Sequence, residues 1–128
     1  MSANFSFEVD PAQNLVRIRM SGFFAPEDIE SFLAARAEAH AQLTCGPNQH
    51  LTLNDLRDMK IQAQESVEMF REMLADPAFR SRRLAFVIGR TLARTQLGRA
   101  LDRRYARTFE DAWAAEAWLL TGSDRAAA

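Results

Sequence analysis

Cysteine is nearly absent from this chain: Cys45 stands alone, no disulfide can close within the sequence, and a reducing compartment is the expectation. Long apolar runs are missing too. No segment approaches the ~20 apolar residues needed to cross a bilayer, and Met1-Ser2-Ala3-Asn4 lacks the basic region and apolar stretch of a signal peptide. A cytoplasmic protein that does not insert into membranes is therefore expected. Nor does charge of one sign dominate, since 16 Lys and Arg meet 17 Asp and Glu; a net charge of -1 gives no global attraction to nucleic acid. The five glycines form no phosphate cradle, and no Ser/His/Asp or Cys/His order places a nucleophile beside its base. Neither catalysis nor a cofactor is expected.

What remains has the composition of a folded domain. With 48% hydrophobic and 26% charged residues, the 128-residue chain falls in the globular range and is long enough for one core. Phe5, Phe7 and Val9 alternate with polar residues, Asp10 to Asn14 has turn composition, and Val16, Ile18 and Met20 alternate again, which predicts a β-hairpin. Gly22 breaks the strand. Pro26-Glu27-Asp28 opens a first helix with a buried stripe of Ile29, Phe32, Leu33 and Ala37, ending before Gly46-Pro47. A short strand, Leu51 to Leu53, runs into a charged turn, Asn54 to Asp58. A helix from about Gln64 then buries Val67, Phe70, Met73 and Leu74 and closes at Asp76-Pro77.

Leu84 to Ile88 is an unbroken apolar run, as expected of a strand covered on both faces. A third helix follows Gly89-Arg90-Thr91, with Leu92, Ala93, Leu97, Ala100 and Leu101 on one side. A strand from Tyr105 to Phe109 leads to a last helix, Glu110 to Leu120, expected to bury Trp113, Ala117 and Leu120, with both tryptophans in the core. The order is ββαβαβαβα: an α/β fold with a mixed, mostly parallel sheet of about five strands and four helices. One domain is expected over residues 1–120, with 121–128 a flexible tail.

On these residues the chain resembles the SpoIIAA-like superfamily, which includes the STAS domains of anti-sigma-factor antagonists and sulfate transporters. The resemblance spans nearly the whole chain. It rests on the hairpin, Leu53-Asn54-Asp55-Leu56-Arg57-Asp58-Met59, Arg83-Leu84-Ala85-Phe86-Val87-Ile88, Leu92-Ala93-Arg94, Phe109-Glu110-Asp111 and Ala117-Trp118-Leu119. The chain is most similar to small stand-alone bacterial members, mostly without an assigned function. The resemblance implies a regulatory or scaffold domain that works through protein contacts; because the fold is also related to lipid-carrying domains, a small anionic or lipid-like ligand is the alternative. The antagonists carry Asp-Ser-Ser-Gly, phosphorylated on the second serine, at the start of the helix after the turn. Aligned from Asp55-Leu56, this chain reads Ala63-Gln64-Glu65-Ser66. Glu65 stands at the phosphoacceptor position, either as a fixed anionic mimic or as an ordinary acid at a helix N-terminus. Ser66, one residue on, is a displaced hydroxyl or a cap.

Asp55, Arg57, Asp58, Glu65 and Ser66 thus form the expected contact region. Between Arg80 and Arg107 nine arginines meet one acid, Asp102; Arg90, Thr91 and Arg94, at a strand-to-helix junction, would join Arg57 around an anion, or else Arg94, Arg99, Arg103 and Arg104 are solvated helix positions paired with Glu and Asp. Nucleic acid is not expected, since no aromatics interleave with the arginines from Arg90 to Arg104 and the remaining surface is acidic. Phe23 and Phe24 either anchor a partner or a homodimer, or lid the core. His40, Cys45 and His50 fall within eleven residues, but no close ligand pair supports a metal.

Overall fold

A computed structural model describes residues 3–89 and 106–122. Strands β1 (Asn4–Asp10) and β2 (Leu15–Gly22) pair antiparallel in unbroken register from Asn4↔Ser21 to Asp10↔Leu15. The turn between them is built by two side chains. The Asp10 carboxylate accepts from the Ala12 amide, and Asn14, at φ 49, uses its side-chain oxygen to hold the Thr44 and Cys45 amides. Asn tolerates this left-handed backbone better than most residues, and its carboxamide also fixes the loop after the first helix.

Three α-helices lie among the described residues: α1 (Pro26–His40), α2 (Gln64–Ala75) and α3 (Ala112–Thr121). With β3 (Leu51–Met59), β4 (Arg83–Val87) and β5 (Ala106–Phe109) they complete a sheet of order β1-β2-β3-β4-β5, parallel from β2 onward. The helix expected after Gly89 lies outside the described residues. Side chains alternate across the strands, so the two faces bury separate cores. Val16, Ile18 and Met20 of β2 meet Ile29 and Phe32 of α1 and the partly buried Met69, Phe70 and Met73 of α2. On the opposite face, Leu15, Leu51, Leu53, Ala85 and Val87 meet Ala115, Trp118 and Leu119 of α3.

Three expectations are corrected. The charged segment Asn54 to Asp58 is strand rather than turn. Its parallel pairing with β2 continues to Gly22↔Met59, with one irregularity between Arg19 and Ser21, so the ladder satisfies the backbone while Arg57 and Asp58 project to solvent. In α1, Ala37 is exposed and Ala39 is buried; Ile29 and Phe32 fix the buried face, and the helical repeat carries it through Arg36 to Ala39. Arg36 lays its guanidinium 4.1 Å from the Phe79 ring centroid. In α3 the buried residues are Ala115, Trp118 and Leu119, whereas Trp113 is 80% and Leu120 42% exposed. Glu116 is the only charged residue in that helix, so apolar positions run almost all round it and periodicity alone cannot choose the face. Its ends do choose. Asp111 caps the Trp113 amide, the Gly122 amide at φ 71 bonds to the Trp118 carbonyl, and Arg83 donates to the Leu119 carbonyl.

Candidate contact surface

β2 and β3 end side by side, and two buried polar side chains lock together the segments that leave them. The Lys60 amide donates to the Gly22 carbonyl at 3.0 Å. Gln62 accepts from the Phe24 amide at 2.8 Å and donates to the carbonyls of Gly22 and Lys60. The Ser66 hydroxyl, in the first turn of α2, donates to the Phe24 carbonyl at 2.6 Å. Segments 22–24 and 60–62 are thereby cross-braced, and two side chains project from the braced pair: Phe23, 40% exposed, and Ile61, 50% exposed. Phe24 turns inward against Phe70, with ring centroids 5.8 Å apart. The aromatic pair thus divides its work, one ring lidding the core and one facing solvent.

Ser66 is buried at 1% exposure and does not cap its helix; Ala63 occupies the N-cap. Its hydroxyl is buried and spent on the Phe24 carbonyl. Glu65 is exposed in the same first turn, where the helix dipole favours an acid. Sequence reasoning missed Gln62, which sits in a connector with no periodic signal. The buried place of Ser66 did have one: it lies four residues before Phe70, on the stripe that carries Val67.

Asp55, Arg57 and Asp58 gather near the carboxyl end of β3, beside Arg19 of β2. Arg57 donates its amide, Nε and a terminal nitrogen to the Asp55 carboxylate at 2.8–3.1 Å, and Arg19 pairs with Asp58 at 2.9 Å. Burial pushes the Asp55 carboxyl up, but bonding to the Arg57 side chain and amide outweighs it, so Asp55 titrates below the ordinary carboxylate range. Arg57 is therefore engaged with Asp55. Arg90, Thr91 and Arg94, the other members of the expected anion crevice, lie outside the described residues.

Back along β2, Arg17 bridges Glu116 at 2.8 Å and Glu8 at 3.0 Å. Between Arg17 and α3 runs an open groove of about 490 Å³, lined by Arg17, Leu53, Ala112, Trp113, Glu116, Ala117 and Leu120. At the opposite end of the strands, the His40 and His50 rings stand edge to face with centroids 4.4 Å apart, and Phe79 packs 5.0 Å from His40. His50 Nε2 meets the Ser81 hydroxyl at 3.2 Å, and that hydroxyl meets Thr52 at 2.6 Å. The two imidazoles act here as packing groups, and among the described residues no group of three or more His, Cys, Asp or Glu is arranged to hold a metal. No helix of the described residues is long and apolar enough to cross a membrane.

Searches against protein-family models and against curated proteins found no match. Among solved structures, the chain is similar to an uncharacterised protein of the DUF3478 family from Shewanella loihica PV-4, described as having a SpoIIAA-like fold. The TM-score is 0.70 at 15% sequence identity, over 93% of this chain and 96% of that one. A five-stranded, mostly parallel sheet with an antiparallel first strand and helical crossovers agrees with that likeness. The chain has a SpoIIAA-like fold.

Proposed function

We propose that the chain is a regulatory or scaffold domain that acts without catalysis, through a protein contact made at the carboxyl ends of β2 and β3. One observation carries this reading. Phe23 and Ile61, 40% and 50% exposed, stand on backbone braced by Gln62 and Ser66. Exposed apolar side chains on a rigid base lose little freedom on binding, which favours a specific contact. Glu65, at the start of α2, adds an acid to the same rim that no phosphorylation step needs to supply. Against the ligand-carrying alternative, the space under α1 is filled by rings: Phe5 and Phe7 pack 5.4 and 5.0 Å from Phe32, and Phe5 lies 6.4 Å from Phe24.

Affinity capture from the native lysate tests the proposal, using wild type, the double variant Phe23→Ser/Ile61→Ser, and Arg57→Glu. Loss of one specific protein in the double variant supports the contact. An identical set of captured proteins from wild type and the double variant rules this surface out. Loss confined to Arg57→Glu would move the contact to the charged sheet face.

A further inference from the structure

The outward flank of α3 is the most conspicuous unpaired surface among the described residues. Trp113, Ala117 and Leu120 follow one another at i, i+4 and i+7, with Trp113 80% and Leu120 42% exposed. A helix that is apolar nearly all round is normally covered on all sides. The groove beside this stripe has Leu53 at its base, Ala112 and Ala117 as small residues on the helix wall, and Arg17 on the strand wall. A large projecting ring thus stands on the wall of an open channel in which two alanines of the same helix leave room. Such a surface can complement itself.

We propose that two copies of the chain associate about a two-fold axis through this surface, α3 lying antiparallel against α3. An axis passing between Glu116 and Ala117 sets Trp113 of each copy across from Leu120 of the other. The charges agree with a second copy as occupant. Glu116 is the only charge in α3, and it pairs at 2.8 Å with Arg17 of its own strand wall, so the flank carries one balanced ion pair beside its apolar stripe. A two-fold contact brings Glu116 of one copy toward Arg17 of the other, so each guanidinium meets carboxylates of both chains. The area is sufficient for a modest dimer: a ten-residue helix is about 15 Å long, and its flank with the adjoining strip of β2 offers on the order of 600 Å² per copy, the low end for specific contacts. This surface is separate from the Phe23 and Ile61 rim, so a dimer leaves that rim free for another protein.

Sedimentation velocity over roughly 1 to 200 μM, a range chosen for an interface of this size, tests the proposal. Wild type is expected to shift from monomer to dimer, and Trp113→Lys to weaken the association at least 10-fold. A wild type that stays monomeric throughout, or a dimer equally strong in Trp113→Lys, overturns it. A second measurement does not depend on how that variant folds. In a Cys45→Ser background, Ala117→Cys places a thiol beside the axis, and mild oxidation should give a disulfide-linked dimer on a denaturing gel. Absence of the cross-linked species overturns the geometry. Wild type captured mainly in complex with a different protein whose binding is lost in Trp113→Lys assigns the surface to that protein and also overturns the proposal.

Discussion

The Ser66 hydroxyl donates to the Phe24 carbonyl at 2.6 Å, joining the first turn of α2 to the residue two beyond the end of β2. Both groups are buried, so the bond has no water to replace it. Ser66→Ala leaves the Phe24 carbonyl without its donor, and the expected loss is about 1–2 kcal/mol. Urea unfolding of the two proteins measures this through the midpoint at unchanged slope. A variant as stable as wild type would show that the bond contributes nothing.

Gln62 has a larger part, because its carboxamide uses both ends: Oε1 takes the Phe24 amide and Nε2 serves the carbonyls of Gly22 and Lys60. Gln62→Glu keeps the shape and the acceptor but removes the donor and sets a carboxylate beside two carbonyl oxygens. About 2–3 kcal/mol of destabilisation is expected, with faster proteolytic cleavage next to Phe23 as the brace loosens. Gln62→Ala should cost a similar amount but leave no acid. If Gln62→Glu unfolds at the wild-type midpoint, the brace is not what holds segments 22–24 and 60–62 together.

How legible this molecule is from its sequence depends on where two signals coincide. The hairpin, α1, α2 and β4 are readable because alternation or helical spacing is interrupted by Gly22, Pro26 and Pro77 at the right places. The β3 extension is not readable, since Asp55, Arg57 and Asp58 look like a turn until Arg19 is set opposite them by β2 pairing. The buried face of α3 misleads because alanines and two tryptophans give it two apolar stripes, and only Arg83, Asp111 and Gly122 at its ends select one. Within the contact region, residue types point to Asp55, Arg57 and Phe23, whereas Ile61 and Gln62 need the three-dimensional crossing of two strand ends.

Asp55 and Arg57 offer a test of the charged ladder. Three bonds from Arg57 hold the Asp55 carboxyl below its ordinary range. Arg57→Gln removes two of those donors and the positive charge, and the Asp55 titration should move upward, toward or past the ordinary aspartate value, because burial then acts with less opposition. Carbon-detected NMR of the carboxyl reads this directly. A depressed carboxyl stabilises the fold above its unfolded pKa, and that contribution fades as pH falls, so wild type and Arg57→Gln should differ by less than about 1 kcal/mol at neutral pH and converge in acid. An Asp55 titration unchanged in the variant would assign its low pKa to other groups, Arg19 first.

His40 has the most strongly displaced titration, pushed down to about 4 chiefly by burial, with His50 and Arg36 also opposing its charge. His50 is likewise lowered by burial. Around His40 stand the His50 ring, the Phe79 ring and the Arg36 guanidinium, the last 3.9 Å from the Asp76 carboxylate, and none of these welcomes an imidazolium. In the unfolded chain both imidazoles take up a proton near pH 6.5, while in the fold His40 resists until about 4. The unfolded state therefore binds more protons across that window, so stability rises with pH through it and levels off above 6.5. The full displacement of His40 corresponds to about 3–4 kcal/mol at most, and its partial exposure reduces the expected loss to roughly 1–2 kcal/mol. Melting temperature should accordingly be flat from pH 8 down to about 6.5 and fall between there and 4. His40→Phe keeps a ring against Phe79 and His50 but cannot protonate, so the fall should shrink to the part owed to His50 and the carboxylates. If wild type and His40→Phe lose stability in parallel over that window, the acid sensitivity lies elsewhere in the fold.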